Sequence, residues 1–142
     1  LKNGGKTMLV RKTMFLAAIF SIVIIGGLTA SAQRGNWVYL GEANVDGGND
    51  HDKIKVGGNK GTFRALQIQV ERAAIDFEYV VVHFENGGND RLEIRGKVPA
   101  GRRSRVIDLK GNNRAIDSVE IWYARGNWAN SQKPKMRLFG RR

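Results

Sequence analysis

Residues 65–71 read Ala65-Leu66-Gln67-Ile68-Gln69-Val70-Glu71. On an extended chain Leu66, Ile68 and Val70 fall on one side, and Gln67, Gln69 and Glu71 on the other. That alternation predicts a strand with one face in a core and the other in water. It recurs in Arg91-Leu92-Glu93-Ile94-Arg95 and in Val119-Glu120-Ile121-Trp122-Tyr123, where Val119, Ile121 and Tyr123 take the inner face. Lys53-Ile54-Lys55-Val56 and Lys135-Met136-Arg137-Leu138 are shorter versions. Residues 77–84 (FEYVVVHF) are apolar on both sides for most of their length, as a central strand would be. Trp37-Val38-Tyr39-Leu40 and residues 105–109 bring the count to about eight strands. No stretch beyond residue 33 carries a helical stripe, and Gly, Asn and Asp punctuate at intervals of about ten residues. The expected fold is all-β: a single antiparallel β-sandwich, jelly-roll-like, preceded by a signal-peptide helix.

That leader is read from the first thirty-two residues. Lys2, Lys6, Arg11 and Lys12 precede an uncharged apolar run at residues 14–28, and Ala30-Ser31-Ala32 supplies a small-x-small cleavage pattern. Charge, apolar segment and small residues in that order mark a secretory signal peptide over residues 1–32. Met8 is a plausible start, which would put residues 1–7 upstream of it. An uncleaved leader would be the chain's one expected link to a membrane. Residues 33–142 are then one domain. They contain no Cys, which removes disulfides, thiol catalysis and sulfur-ligated metals. Four of the 24 basic residues lie in the leader, so the rest carries 20 against 13 acidic residues, a charge of +7. Such a balance suits acidic polymers without specifying one, and no motif points to specific nucleic-acid binding.

"GGND" occurs twice, as Gly47-Gly48-Asn49-Asp50 and Gly87-Gly88-Asn89-Asp90. Each copy sits between two predicted strands and reads first as a hairpin connection, because Asn-Gly and Gly supply the positive φ that tight turns need. An old duplication is a second reading. A weak calcium site at Asp46, Asn49, Asp50 and Asp52 is a third, without the spacing of an EF-hand. No metal and no cofactor is assigned on this pattern. His51 is flanked by Asp50 and Asp52, and His83 lies in the apolar strand as a core or rim histidine. No serine sits in a nucleophile elbow and no His-Glu-x-x-His occurs, so the chain is read as a non-enzyme.

Two sets of residues are candidates for binding. Trp122, Asn127, Trp128, Asn130 and Gln132 combine flat rings with amides, the chemistry that grips sugars; the alternative is that both indoles are packed away. Lys97, Arg102, Arg103 and Arg105 gather around Pro99 as a polyanion patch, and Lys133, Lys135, Arg137, Arg141 and Arg142 form a second cluster at the C-terminus. Charge-driven binding would weaken steeply with salt, and stacking on sugar would not.

From Trp37-Val38-Tyr39-Leu40-Gly41 onward, the chain resembles a family of small exported bacterial proteins assigned to a domain of unknown function. The resemblance runs through Asp50-His51-Asp52-Lys53-Ile54, Phe84-Glu85-Asn86-Gly87, Pro99-Ala100-Gly101, Arg105-Val106-Ile107-Asp108-Leu109, Arg114-Ala115-Ile116 and Arg137-Leu138-Phe139-Gly140. It implies export and a small all-β domain, and brings no activity or site residues. The expected function is therefore an exported, periplasmic or extracellular, non-catalytic module for envelope or extracellular glycan. The alternatives are a charge-driven polyanion binder or a structural subunit that adds an edge strand to a neighbour. The oligomeric state is not legible.

Overall fold

The computed structural model describes residues 36–128 and 132–142. The anticipated leader helix and its cleavage site lie outside the described residues. Nine strands follow in order: β1 (Trp37–Asn44), β2 (His51–Lys55), β3 (Thr62–Phe63), β4 (Ala65–Glu71), β5 (Ile75–Phe84), β6 (Asn89–Val98), β7 (Ile107–Asp108), β8 (Arg114–Tyr123) and β9 (Lys135–Arg141). β4 has the bounds its alternation predicts, and Leu66, Ile68 and Val70 are wholly buried.

The protein is all-β and consists of two antiparallel sheets. One runs β1-β9-β4-β7; the other runs β2-β8-β5-β6, with β3 beside the start of β8. The pairing is nested along the sequence. β1 pairs with β9, β2 with β8, β4 with β7 and β5 with β6, every pair antiparallel. Successive pairs fall alternately in the two sheets. β4–β9 and β5–β8 then close the middle of each sheet. The inward rows meet in one cluster: Leu40, Leu66, Ile68, Val70, Met136 and Leu138 from the first sheet, and Ile54, Phe77, Val80, Val82, Val119, Ile121 and Tyr123 from the second. β5 is an interior strand, as its two apolar faces predict.

Three expectations are corrected. The stretch at residues 46–49 is not a hairpin. β1 and β2 belong to different sheets, and the connection crosses between them. The return connection from β8 to β9 crosses beside it, and the two are bonded: Val45 N–H donates to the Pro134 carbonyl (2.9 Å) and Tyr123 N–H to the Asp50 carbonyl (3.0 Å). The second copy is a hairpin between β5 and β6, with Gly87 at φ 93° and Phe84 N–H donating to the Gly88 carbonyl at 2.8 Å. The two copies thus serve unlike connections, which removes the structural basis for reading them as a duplication.

The strand expected at residues 105–109 shrinks to Ile107–Asp108. The chain before it still tracks β4, but its ladder is broken and completed by a side chain. Ser104 N–H donates to the Ile68 carbonyl (2.7 Å), and Ile68 N–H donates to the Ser104 hydroxyl (3.0 Å) rather than to a backbone carbonyl. Finally, β3 has no counterpart among the expected strands, because two residues are too few to show alternation.

Gly140 sits in β9 where the two sheets press together. A Cβ there would lie 2.7 Å from the Phe63 ring and 2.9 Å from Leu40. Gly140→Val is expected to cost about 1–3 kcal/mol through overpacking, read as a lower urea midpoint; an unchanged midpoint would contradict this packing.

Candidate anion-binding site

β6 alternates regularly through Leu92 and Ile94, then breaks. Arg95 adopts φ 42°, in the left-handed region, and the register with β5 shifts between Phe77 and Tyr79. Past β6 the chain turns over residues 99–102, where Arg102 N–H donates to the Pro99 carbonyl (3.1 Å) and Gly101 takes φ 82°. Gly at the third position of such a turn supplies the positive φ that a type II turn requires. The turn sends the chain from one sheet towards the other, and Ser104 then fixes it to β4.

Between the broken end of β6 and residues 102–105 lies a cleft of about 450 Å³. Its lining includes Arg95, Lys97, Arg102, Arg103 and Arg105, and no carboxylate. The four cations that the sequence singled out are therefore brought together, and Arg95 joins them. Their settings differ. Arg105 turns back over the edge of β6, its Nε donating to the Ile94 carbonyl (3.1 Å) and its Nη2 to the Glu93 carbonyl. Carbonyls do not neutralise the guanidinium, so it is held in place with its charge intact. Arg95 pairs with Glu93 at 3.0 Å. Arg103 lies over the Phe139 ring, 4.5 Å from its centroid, and donates to Gln67 Oε1 at 3.4 Å. Lys97 and Arg102 are exposed and have no ion-pair partner among the described residues.

The C-terminal cluster is different. Lys135 pairs with Glu42 (2.8 Å), Arg137 with Glu42 (3.4 Å) and Glu71 (3.2 Å), Lys133 with Asp46 (3.5 Å) and Arg141 with Asp108 (3.9 Å). Arg142 donates to the Lys60 carbonyl (2.9 Å). Most of that charge is matched across the sheet.

The indoles are engaged as well. Trp122 faces outward from β8 between His51 on β2 (centroids 4.0 Å apart, 13° between planes) and Tyr79 on β5 (5.4 Å, 16°). Arg91 continues the stack, 3.6 Å from the Tyr79 centroid. Trp128 donates its indole N–H to the Ala74 carbonyl (3.2 Å) and sets its ring at an edge-on angle to Tyr123. Asn127 and Gln132 are exposed, and Asn130 lies outside the described residues. The rings expected to grip a sugar are thus occupied by other rings and by the backbone.

The oxygen-rich turn is similarly committed. Asp50 pairs with His51 (2.9 Å), Asp46 with Lys133, and Asp52 accepts from the Tyr123 hydroxyl (2.7 Å); Asn49 is exposed. Among the described residues no three His, Cys, Asp or Glu side chains are placed to hold a metal ion. His83 is half-buried at the sheet surface and bonds to Glu120 at 3.2 Å.

The model of a domain of unknown function, DUF2541, matches residues 14–140 of this chain. The chain belongs to that family. No curated protein and no solved structure matches it. The DUF2541 description assigns neither a reaction nor a ligand, so the site rests on geometry alone.

Within this DUF2541 chain, the alternation of residues 91–95 marks Arg95 only as the outer end of a strand. The signal was the break itself, an Arg-Gly pair where alternation calls for one more apolar residue. The sequence places Tyr39, Gln67 and Phe139 in or beside strands but does not join them. They come from three distant segments and meet only through register: Tyr39 faces Phe139, which faces Gln67.

Burial raises the Asp52 carboxyl above its ordinary value of 3.8, against the opposing bond from Tyr123. A raised value favours the protonated form in the fold. The associated stability is full below about pH 3.8 and is lost as pH rises through the folded value. Asp50, held low by its bond to His51, and Glu42, held low by Lys135, slope the other way. Asp52→Asn should therefore gain stability relative to the parent as pH rises from below 3.8 through the raised value of the Asp52 carboxyl. Parallel urea-midpoint profiles for the two proteins would refute this.

Proposed function

We propose that the chain is an exported, non-catalytic module that binds an anionic polymer of the envelope or extracellular glycan kind in the cleft between β6 and residues 102–105. The observation that carries this reading is five cations around one cleft with no carboxylate in its lining. Four of the five are arginines, whose planar forks suit the paired oxygens of phosphate, sulfate or carboxylate. Arg105 is fixed by carbonyls and Arg103 by Phe139 and Gln67, so part of the ordering cost is met before a ligand arrives. Export is supported by the charge, apolar run and small residues at 1–32. The finer description of the two sheets as a jelly-roll-like sandwich is supported by their nested antiparallel pairing.

The test is titration of the chain with linear polyphosphate at rising salt. The pair Lys97→Ala and Arg102→Ala removes two exposed charges that make no ion pair among the described residues. Together they should weaken binding and reduce the slope of log affinity against log salt by about one to two units. Unchanged affinity and slope would remove the cleft from consideration.

A further inference from the structure

The outer face of the first sheet carries rings that the cleft does not use. Tyr39 on β1 and Phe139 on β9 are cross-strand partners and project from the same side. Their centroids are 5.9 Å apart with planes at 65°. Tyr39 is 46% exposed, the one large hydrophobic side chain so exposed among the described residues. A single exposed ring is ordinary. This one is not isolated. Phe139 is half-buried and capped by the Arg103 guanidinium at 4.5 Å, and Gln67 holds Arg103 through Oε1 while its Nε2 donates to the Ser104 carbonyl (2.8 Å). Arg103 also lines the cleft. One arginine thus belongs to both surfaces, and no acidic side chain stands between the cleft and Tyr39 in the Tyr39–Phe139–Gln67 row.

We propose that Tyr39 is a sugar-stacking subsite continuous with the cleft, and that the ligand is an anionic polysaccharide. Its charged groups lie against Lys97, Arg102 and Arg103, and the apolar face of a neighbouring ring lies on Tyr39. The proposal rests on the cleft reading above and adds the class of polymer. Charge complementarity sets the direction: a chain leaving the cleft past Arg103 next meets Phe139 and Tyr39. An exposed aromatic joined through Phe139 to the Arg103 guanidinium suits a polymer that alternates ring faces with negative groups. A polyanion without rings gains nothing from Tyr39.

That difference is the experiment. The full chain, Tyr39→Ala, Tyr39→Phe and the Lys97→Ala/Arg102→Ala pair are titrated at one salt concentration with two probes. Heparin supplies sulfated sugar rings; linear polyphosphate supplies charge alone. Tyr39→Ala should weaken heparin binding about three- to tenfold, the size of one aromatic contact, and leave polyphosphate within about twofold. Tyr39→Phe should keep heparin affinity, since the ring remains. The paired cation variant should weaken both probes. Equal loss on both probes in Tyr39→Ala, or no loss on either, overturns the subsite. In the second case the cleft stands if the cation pair still weakens both. If the parent binds neither probe, the cleft reading fails and the subsite with it.

Discussion

Two apolar rows facing each other are the constraint on which everything else rests. β4 and β9 supply one row and β5 and β8 the other, and they meet in a single buried cluster. The chain has no cysteine. The sheets are therefore held by burial and by the backbone ladders that burial protects, with no covalent clamp. β4 and β9 keep a strict period of two, since a slip by one residue would turn their apolar side chains outward, and β5 and β8 depart from it only where their register shifts, between Phe77 and Tyr79 and between His83 and Phe84. The inner face has no freedom left. The outer faces have it all, and that is where rings and charges are arranged.

The nested pairing makes the chain cross from one sheet to the other repeatedly, and the crossings account for the irregular features. Between β6 and β7 the chain must leave one sheet edge and join the other within a few residues. The broken end of β6, the turn at residues 99–102 and the Ser104 hydroxyl in the β4 ladder are the parts of that crossing. A crossing segment cannot alternate as a strand does, so its side chains are not divided between core and solvent. Here they are arginines, and they converge on the cleft. Arg105 also covers the free carbonyls at the edge of β6, which blunts that edge against pairing with another chain.

What could be read in the sequence follows from this division. Alternation depends on burial alone, so β4, the central place of β5 and the inner face of β8 were legible. The basic cluster was legible because its members are near neighbours along the chain. Turn chemistry was legible only as bending: glycine and asparagine mark where the chain reverses, but not whether the next strand pairs with the last one or with a strand seventy residues away. The two GGND copies separate on that point. The setting of the tryptophans was legible only in part for a related reason. Trp122 does face outward, as its place in the alternation requires, yet His51 and Tyr79 come from other strands to cover it. Contacts made across strands need the register, and so does the meeting of Tyr39, Phe139 and Arg103.

Net charge is a poor guide to where a basic protein acts, and this chain shows why. On the outer face of the first sheet, Glu42, Glu71 and Asp108 stand opposite Lys135, Arg137 and Arg141, so the C-terminal cations are largely answered locally. The Debye length at physiological salt is about 8 Å, so separated surface charges act nearly alone. A cluster acts together only where its members are closer than that and lack opposite partners. The crossing between β6 and β7 comes nearest to this: five cations line one cleft without a carboxylate in the lining, and of them Arg95 alone is ion-paired among the described residues, to Glu93. Topology thus gathers five cations at one of the crossings, where the chain is not a regular strand.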